Sequence, residues 1–222
     1  MAIALKRTGS TSQHVNILCY GQSGTGKTTL CSTVENVIIL SAEGGLLSLP
    51  DGIPYLEISS FEDLSDAYKW LTEDEEGKAF DVVALDSITE IAEVVLSAEK
   101  EKVKDARQAY MQLGETMANL IRSFRDLPKD VYFIAKAEKV QDENGKLLWS
   151  PAMPGAKLAA SLPYYFDEVL ALRVEKDENG KGVRMIQTGA DGTWSAKDRS
   201  GKLNEWEEPS LGDIIKKIKG SK

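Results

Sequence analysis

The stretch Gly21-Gln-Ser-Gly-Thr-Gly-Lys27-Thr28 constrains this chain more than any other. It matches the pattern G-x-x-x-x-G-K-[ST]. Val15-Asn-Ile-Leu-Cys-Tyr20 before it reads as a buried strand, and Lys27 to Glu35 after it reads as a helix, which is the context the pattern requires. Glycines let the backbone wrap closely round an anion, so that successive N–H groups and the positive end of the helix meet phosphates. In that arrangement Gly21, Gln22, Ser23, Gly24, Thr25, Gly26, Lys27, Thr28 and Thr29 form a nucleotide-binding loop. Lys27 is expected to reach the β- and γ-phosphates of a nucleoside triphosphate, and the Thr28 hydroxyl to ligate Mg2+.

The remaining pattern supplies the sheet that such a loop needs. Val37-Ile-Ile-Leu40, Asp81-Val-Val-Ala-Leu-Asp86 and Val131-Tyr-Phe-Ile-Ala135 are short, β-branched apolar runs. Between them, Ser60 with Asp63 forms a capping box before Leu64, Ala67, Tyr68 and Leu71. Apolar positions at Ile88, Ile91, Ala92 and Val95, then at Ala106, Tyr110, Leu113, Met117, Leu120, Phe124 and Leu127, predict two more helices. Strands alternating with helices predict an α/β fold with a mostly parallel central sheet and ligands at its carboxyl edge. Phe166 to Leu172 and Val183 to Thr188 add strands, and turns at Glu143-Asn-Gly145 and Glu178-Asn-Gly180 predict antiparallel edge hairpins. Residues 1–14 are expected to be a flexible segment, 15–209 the core, and 210–222 a short C-terminal helix and tail.

At 222 residues the chain suits one medium domain. No apolar run approaches the roughly 20 residues of a membrane span, and the expectation is a soluble, cytoplasmic protein with no membrane partner. Its net charge of −8 excludes a broad basic face that grips nucleic acid indiscriminately. A single histidine, His14, excludes a histidine metal cluster or triad. Cys19 and Cys31 read as small buried hydrophobes.

Three further places carry chemistry. Asp86 ends a strand at the loop's edge, where it either supports Mg2+ through water or caps the helix that follows. Glu43, after the second strand, is either a general base for the attacking water or a solvated loop carboxylate. In Ala196-Lys197-Asp198-Arg199-Ser200-Gly201, Lys197 and Arg199 are one residue apart in a strand-like segment. They serve their own nucleotide, complete a neighbour's site, or form an exposed charged turn.

Together the phosphate loop, Glu43, Leu85-Asp86-Ser87 and the terminal Lys-x-Arg-x-Gly resemble the RecA-type ATPase core. Met111-Gln-Leu-Gly114, Phe124-Arg-Asp-Leu-Pro128, Leu162-Pro163 and Phe166-Asp-Glu-Val169 are similar to the small phage RecA-like proteins associated with single-strand annealing and recombination. The resemblance implies an ATPase, DNA-dependent and oligomeric as a ring or filament, in the bacterial host cell if phage-encoded, with a single-strand-binding protein as a further partner. It implies that Asp86 supports the metal, Glu43 activates water, and Lys197 and Arg199 reach a neighbour's γ-phosphate. Single-stranded DNA is then expected near Lys100, Lys102, Lys104 and Arg107, and at Lys139, Lys146, Trp149 and Lys157, where Trp149 stacks on a base. Where recombinases commonly place a glutamine, this chain has Lys136-Ala-Glu138. A nucleotide-gated adaptor or loader of a replication protein, and a small-molecule P-loop kinase, remain the alternatives.

Overall fold

The computed structural model describes residues 14–141 and 145–220. Most of the expected flexible N-terminal segment, Glu143-Asn144 of the first hairpin turn and the last two residues of the tail lie outside them. In chain order the elements are β1 (Asn16–Gly21), a 3-10 turn (Thr28–Thr33), β2 (Val37–Ser41), β3 (Tyr55–Glu57), α1 (Phe61–Glu73), α2 (Glu75–Lys78), β4 (Val82–Asp86), α3 (Ile88–Lys102) and α4 (Ala106–Arg125). Then follow β5 (Asp130–Gln141), β6 (Leu147–Pro151), α5 (Ala156–Ser161), β7 (Glu168–Lys176), β8 (Gly182–Gln187), β9 (Lys197–Asp198), β10 (Trp206–Glu207) and α6 (Leu211–Lys219).

The central sheet runs β3-β2-β4-β5-β1-β7 with every pair parallel. Antiparallel β8 and β10 extend one side, while β6 pairs with the overhanging end of β5 and β9 with the start of β7. The phosphate-loop strand and the Asp86 strand are thus not neighbours, because β5 lies between them. Gly21 on β1 registers with Lys136 on β5, and Asp86 registers with Ser41 on β2, so all four collect at one carboxyl edge.

Side chains alternate across this sheet into two cores. Leu18, Tyr20, Leu85 and Phe133 pack under α1, α3 and α4, whereas Ile17, Cys19, Ala84 and Ile134 face the 3-10 turn and α6. Burying an aliphatic or aromatic side chain of this kind stabilises by ~1.5–3 kcal/mol. A one-residue slip of a strand would exchange its two faces between cores of different depth, so the strand registers are strongly specified. α6 belongs to the second core: Leu211, Ile214 and Ile215 are buried there, and the Leu211 amide donates to Thr33 Oγ1 at 2.8 Å.

The helix expected over Lys27 to Glu35 is corrected to a 3-10 segment of 6 residues. Ser32 Oγ donates to the Thr29 carbonyl and Thr33 Oγ1 to the Leu30 carbonyl, each at 2.7 Å, and such back-bonding competes with an α-helical ladder. Asn36, at φ 53°, then turns the chain straight into β2.

Candidate functional site

The phosphate loop is shaped by its glycines. A Cβ on Gly21 would lie 2.5 Å from the Leu172 carbonyl oxygen and 2.9 Å from Thr25 Oγ1, so no other residue fits there. Gly24 and Gly26 take φ of 76° and 97°, the left-handed backbone that turns successive amides inward. Thr25 Oγ1 donates to the Gln22 carbonyl at 2.9 Å and closes the bend. Lys27 folds back into it, its ammonium donating to the Gly21 and Gln22 carbonyls at 2.9 and 3.0 Å. Burial pushes that ammonium below the usual lysine range, while Cys19, Glu43 and Asp86 oppose the shift. From β5, the Tyr132 hydroxyl donates to the Lys27 carbonyl at 3.0 Å and pins the end of the loop.

Thr28 Oγ1 donates to Asp86 Oδ2 at 2.6 Å. Asp86 is only 2% exposed; burial raises its pKa, with the Glu43 carboxylate adding to the rise and the Thr28 hydroxyl and Lys27 opposing it. A nearly buried carboxylate beside a hydroxyl, in an environment that disfavours its charge, fits a hard divalent cation that takes one or two protein oxygens and completes its shell with phosphates and water. Thr28 and Asp86 are the residues that would hold Mg2+, which would neutralise charge on the terminal phosphates. The helix-cap alternative for Asp86 is settled by its neighbour: Ser87 caps α3, accepting from the Glu90 amide at 3.3 Å.

Glu43 stands beside this pair. Its amide and that of Ala42 donate to the Asp86 carbonyl at 3.3 and 2.6 Å, which ties the end of β2 to the end of β4. Its Oε1 accepts from Ser87 Oγ at 2.5 Å and lies 3.4 Å from the Lys136 ammonium, which also bonds Glu90 Oε2 at 2.6 Å. Glu43 is therefore an anchored carboxylate, held by the hydroxyl of the residue that follows Asp86. Sequence reasoning missed Ser87 and Tyr132, and treated Lys136 only as a departure. A hydroxyl directly after a strand-ending aspartate was the one available signal.

Other expected positions are placed differently. Lys197 is half-buried, its ammonium donating to the Pro163 and Phe166 carbonyls at 2.6 and 2.7 Å. Arg199 pairs with Asp167 at 3.0 Å and stays exposed. Both lie at the start of β7, where Val169 registers with Lys197 and Glu168 with Ile17, so this is the edge opposite the phosphate loop and service to their own nucleotide is excluded. Trp149, expected to stack on a base, has its ring stacked on Trp194 with centroids 5.0 Å apart, and the Lys139 ammonium lies 4.9 Å from its centroid. Lys139 on β5, Lys146 just before β6 and Lys157 on α5 are exposed. Of the first set, Lys102 pairs with Glu99 at 2.8 Å and Lys100 lies 5.7 Å from the Tyr110 ring centroid, the pattern of a solvated helix face. Cys19 and Cys31 are buried and free, as expected.

A glycine-lined loop closing on a lysine, a threonine–aspartate pair and a carboxylate at the same edge of a parallel sheet define a P-loop ATPase domain. A family model described as AAA domain (AAA_24) matches residues 13–200, and the chain belongs to that family. Among solved structures it is similar to a KaiC-like protein from the hyperthermophilic archaeon Pyrococcus horikoshii OT3, at 14% identity over 78% of each chain and a TM-score of 0.46. No curated protein matches it.

Proposed function

We propose that this chain hydrolyses ATP with Mg2+, that it does so as a homo-oligomer whose sites are completed by a neighbour, and that it acts on single-stranded DNA in phage recombination or replication. The observation that supports hydrolysis is the position of Glu43, bonded to Ser87 at the edge where Lys27, Thr28 and Asp86 meet. There it polarises the attacking water as general base, while the loop amides and Lys27 hold the phosphates in line. Magnesium, when bound, stabilises the charge that builds on the terminal phosphates.

Assembly is supported by where apolar side chains are left uncovered. Leu47, 104% exposed, follows Glu43 at the phosphate edge, and Tyr164, 81% exposed, follows Pro163, whose carbonyl binds Lys197 at the opposite edge. A head-to-tail contact between these edges buries both and brings Arg199 to a neighbour's nucleotide. Lys197 joins it only by leaving its two carbonyls. DNA contact is supported by the exposed Lys139, Lys146 and Lys157, with Trp149 joining only if its stack opens. The ion pair between Glu43 and Lys136 favours a second reading, a slow nucleotide-gated adaptor or loader.

ATP turnover measured with and without single-stranded DNA, beside the mass in solution with ATP, tests the reading. Stimulation with assembly is the expected result, and Lys27→Ala should bind no ATP. DNA-independent turnover by a monomer defeats the oligomeric and DNA parts. Absent turnover with ATP-dependent capture of a replication protein favours the adaptor.

A further inference from the structure

β7 and β8 continue past the carboxyl edge of the sheet as a two-stranded overhang. Leu172 registers with Ile186, level with Gly21, and two residues further out Val174 registers with Arg184. By strand alternation Arg184 shares the face of Leu172 and Ile186, the face that carries the 3-10 turn. Its side chain consequently lies against the phosphate loop: Nε, Cδ and Cζ are 3.4, 3.6 and 3.8 Å from where a Cβ on Gly26 would stand.

Arg184 is exposed, and among the described residues its guanidinium makes no hydrogen bond or ion pair. Two of the overhang's acids are already engaged, Glu175 by Arg173 and Asp177 by the amides of Asn179 and Lys181, and Glu178 lies beyond them in the turn. A planar fork of donors, always charged, fits phosphate or carboxylate oxygens, and its place on the backbone of a phosphate loop favours phosphate.

We propose that Arg184 binds the phosphate chain of the nucleotide held by its own loop, as a second cation on the side opposite Glu43 and Asp86. This rests on the reading of Gly21 to Thr29 as the nucleotide site. The lysine inside the loop and the arginine above it would then grip the phosphates from two directions.

Calorimetric binding of ATP and of inorganic tripolyphosphate to the full chain, with magnesium, tests this for wild type, Arg184→Ala, Arg184→Lys and Lys27→Ala. Arg184→Ala should weaken both ligands by about tenfold or more, the effect of losing one charged hydrogen-bonding group. Arg184→Lys should weaken them less, because charge is kept and the fork is lost. Unchanged affinity in Arg184→Ala alongside lost binding in Lys27→Ala overturns the arginine assignment and leaves the nucleotide site standing. Weaker ATP with unchanged tripolyphosphate moves the contact to base or ribose, which also overturns it. A wild-type chain that binds neither ligand removes the nucleotide site and this proposal together. Because Arg184 is exposed, an unchanged thermal midpoint is expected for its variants, and a lowered one would assign the loss to folding instead.

Discussion

At the residue scale, the candidate site is a set of short contacts between groups that would otherwise repel or be stranded. Asp86 and Glu43 are two carboxylates at one edge, kept compatible by the Thr28 hydroxyl on one, and by the Ser87 hydroxyl and the Lys136 ammonium on the other. Replacing Glu43 with glutamine preserves shape and the contact with Ser87 but removes the base. Glu43→Gln should bind ATP as tightly as wild type and turn it over about a hundredfold more slowly or worse, the usual worth of a positioned base. Paired equilibrium binding and phosphate-release measurements read this directly, and wild-type turnover in the variant would return Glu43 to the solvated-loop reading.

At the element scale, the start of β7 carries a second pair of acids. Glu168 is 0% exposed, registers with Asp198 on β9, and accepts the Ser200 amide on Oε1 at 3.2 Å. Burial, reinforced by Asp198, raises its pKa from 4.5 to about 7. Asp198, despite its own partial burial, is held below the usual carboxylate range by hydrogen bonds from Ser200, Leu203 and Gly201. Because the folded chain holds the Glu168 proton more tightly than the unfolded chain, this stabilisation is complete below pH 4.5 and lost as pH rises to about 7. Glu168→Gln, permanently neutral, should remove that slope from urea-unfolding curves and be more stable than wild type above neutral pH, by on the order of 2 kcal/mol. An unchanged slope would show that Glu168 does not carry it. The segment this pair holds includes Lys197 and Arg199, so the same proton bears on how firmly those cations are presented.

At the scale of the whole molecule, the two ends of the parallel sheet carry different charged groups. The Arg199 amide bonds the Asp167 carbonyl, and the Asp167 amide bonds the Asn16 carbonyl, so the arginine stands level with the first residue of β1. The phosphate loop begins at the other end of that strand, roughly 16 Å away at a strand's rise of about 3.3 Å per residue. A cation so far from its own nucleotide acts on chemistry only across a subunit boundary. Arg199→Ala should therefore bind ATP normally and lose turnover by about a thousandfold, as expected for a finger supplied in trans. Normal hydrolysis by Arg199→Ala, or wild-type turnover independent of protein concentration in a strictly monomeric sample, would sink the trans arrangement.

Local pattern sufficed for the phosphate loop, the capping box at Ser60 and Asp63, the amphipathic helices α3 and α4, and the carboxylate that ends β4, because each is written in residues within a few turns or one strand of one another. It failed after Lys27, where hydroxyl back-bonding shortened a helix that periodicity alone allows, and it could not show the stack of Trp149 on Trp194, which lies in a distant loop. Only the tertiary structure decided that β5 separates β1 from β4, that Thr28 meets Asp86, that Glu43 meets Ser87 and Lys136, and that Arg184 lies over Gly26. Those contacts depend on crossover connections and strand register, which join residues far apart in the chain. The sequence alone determined which chemical groups are present and which backbone can cradle phosphate; the packing of the sheet determined which of them stand together at its edge.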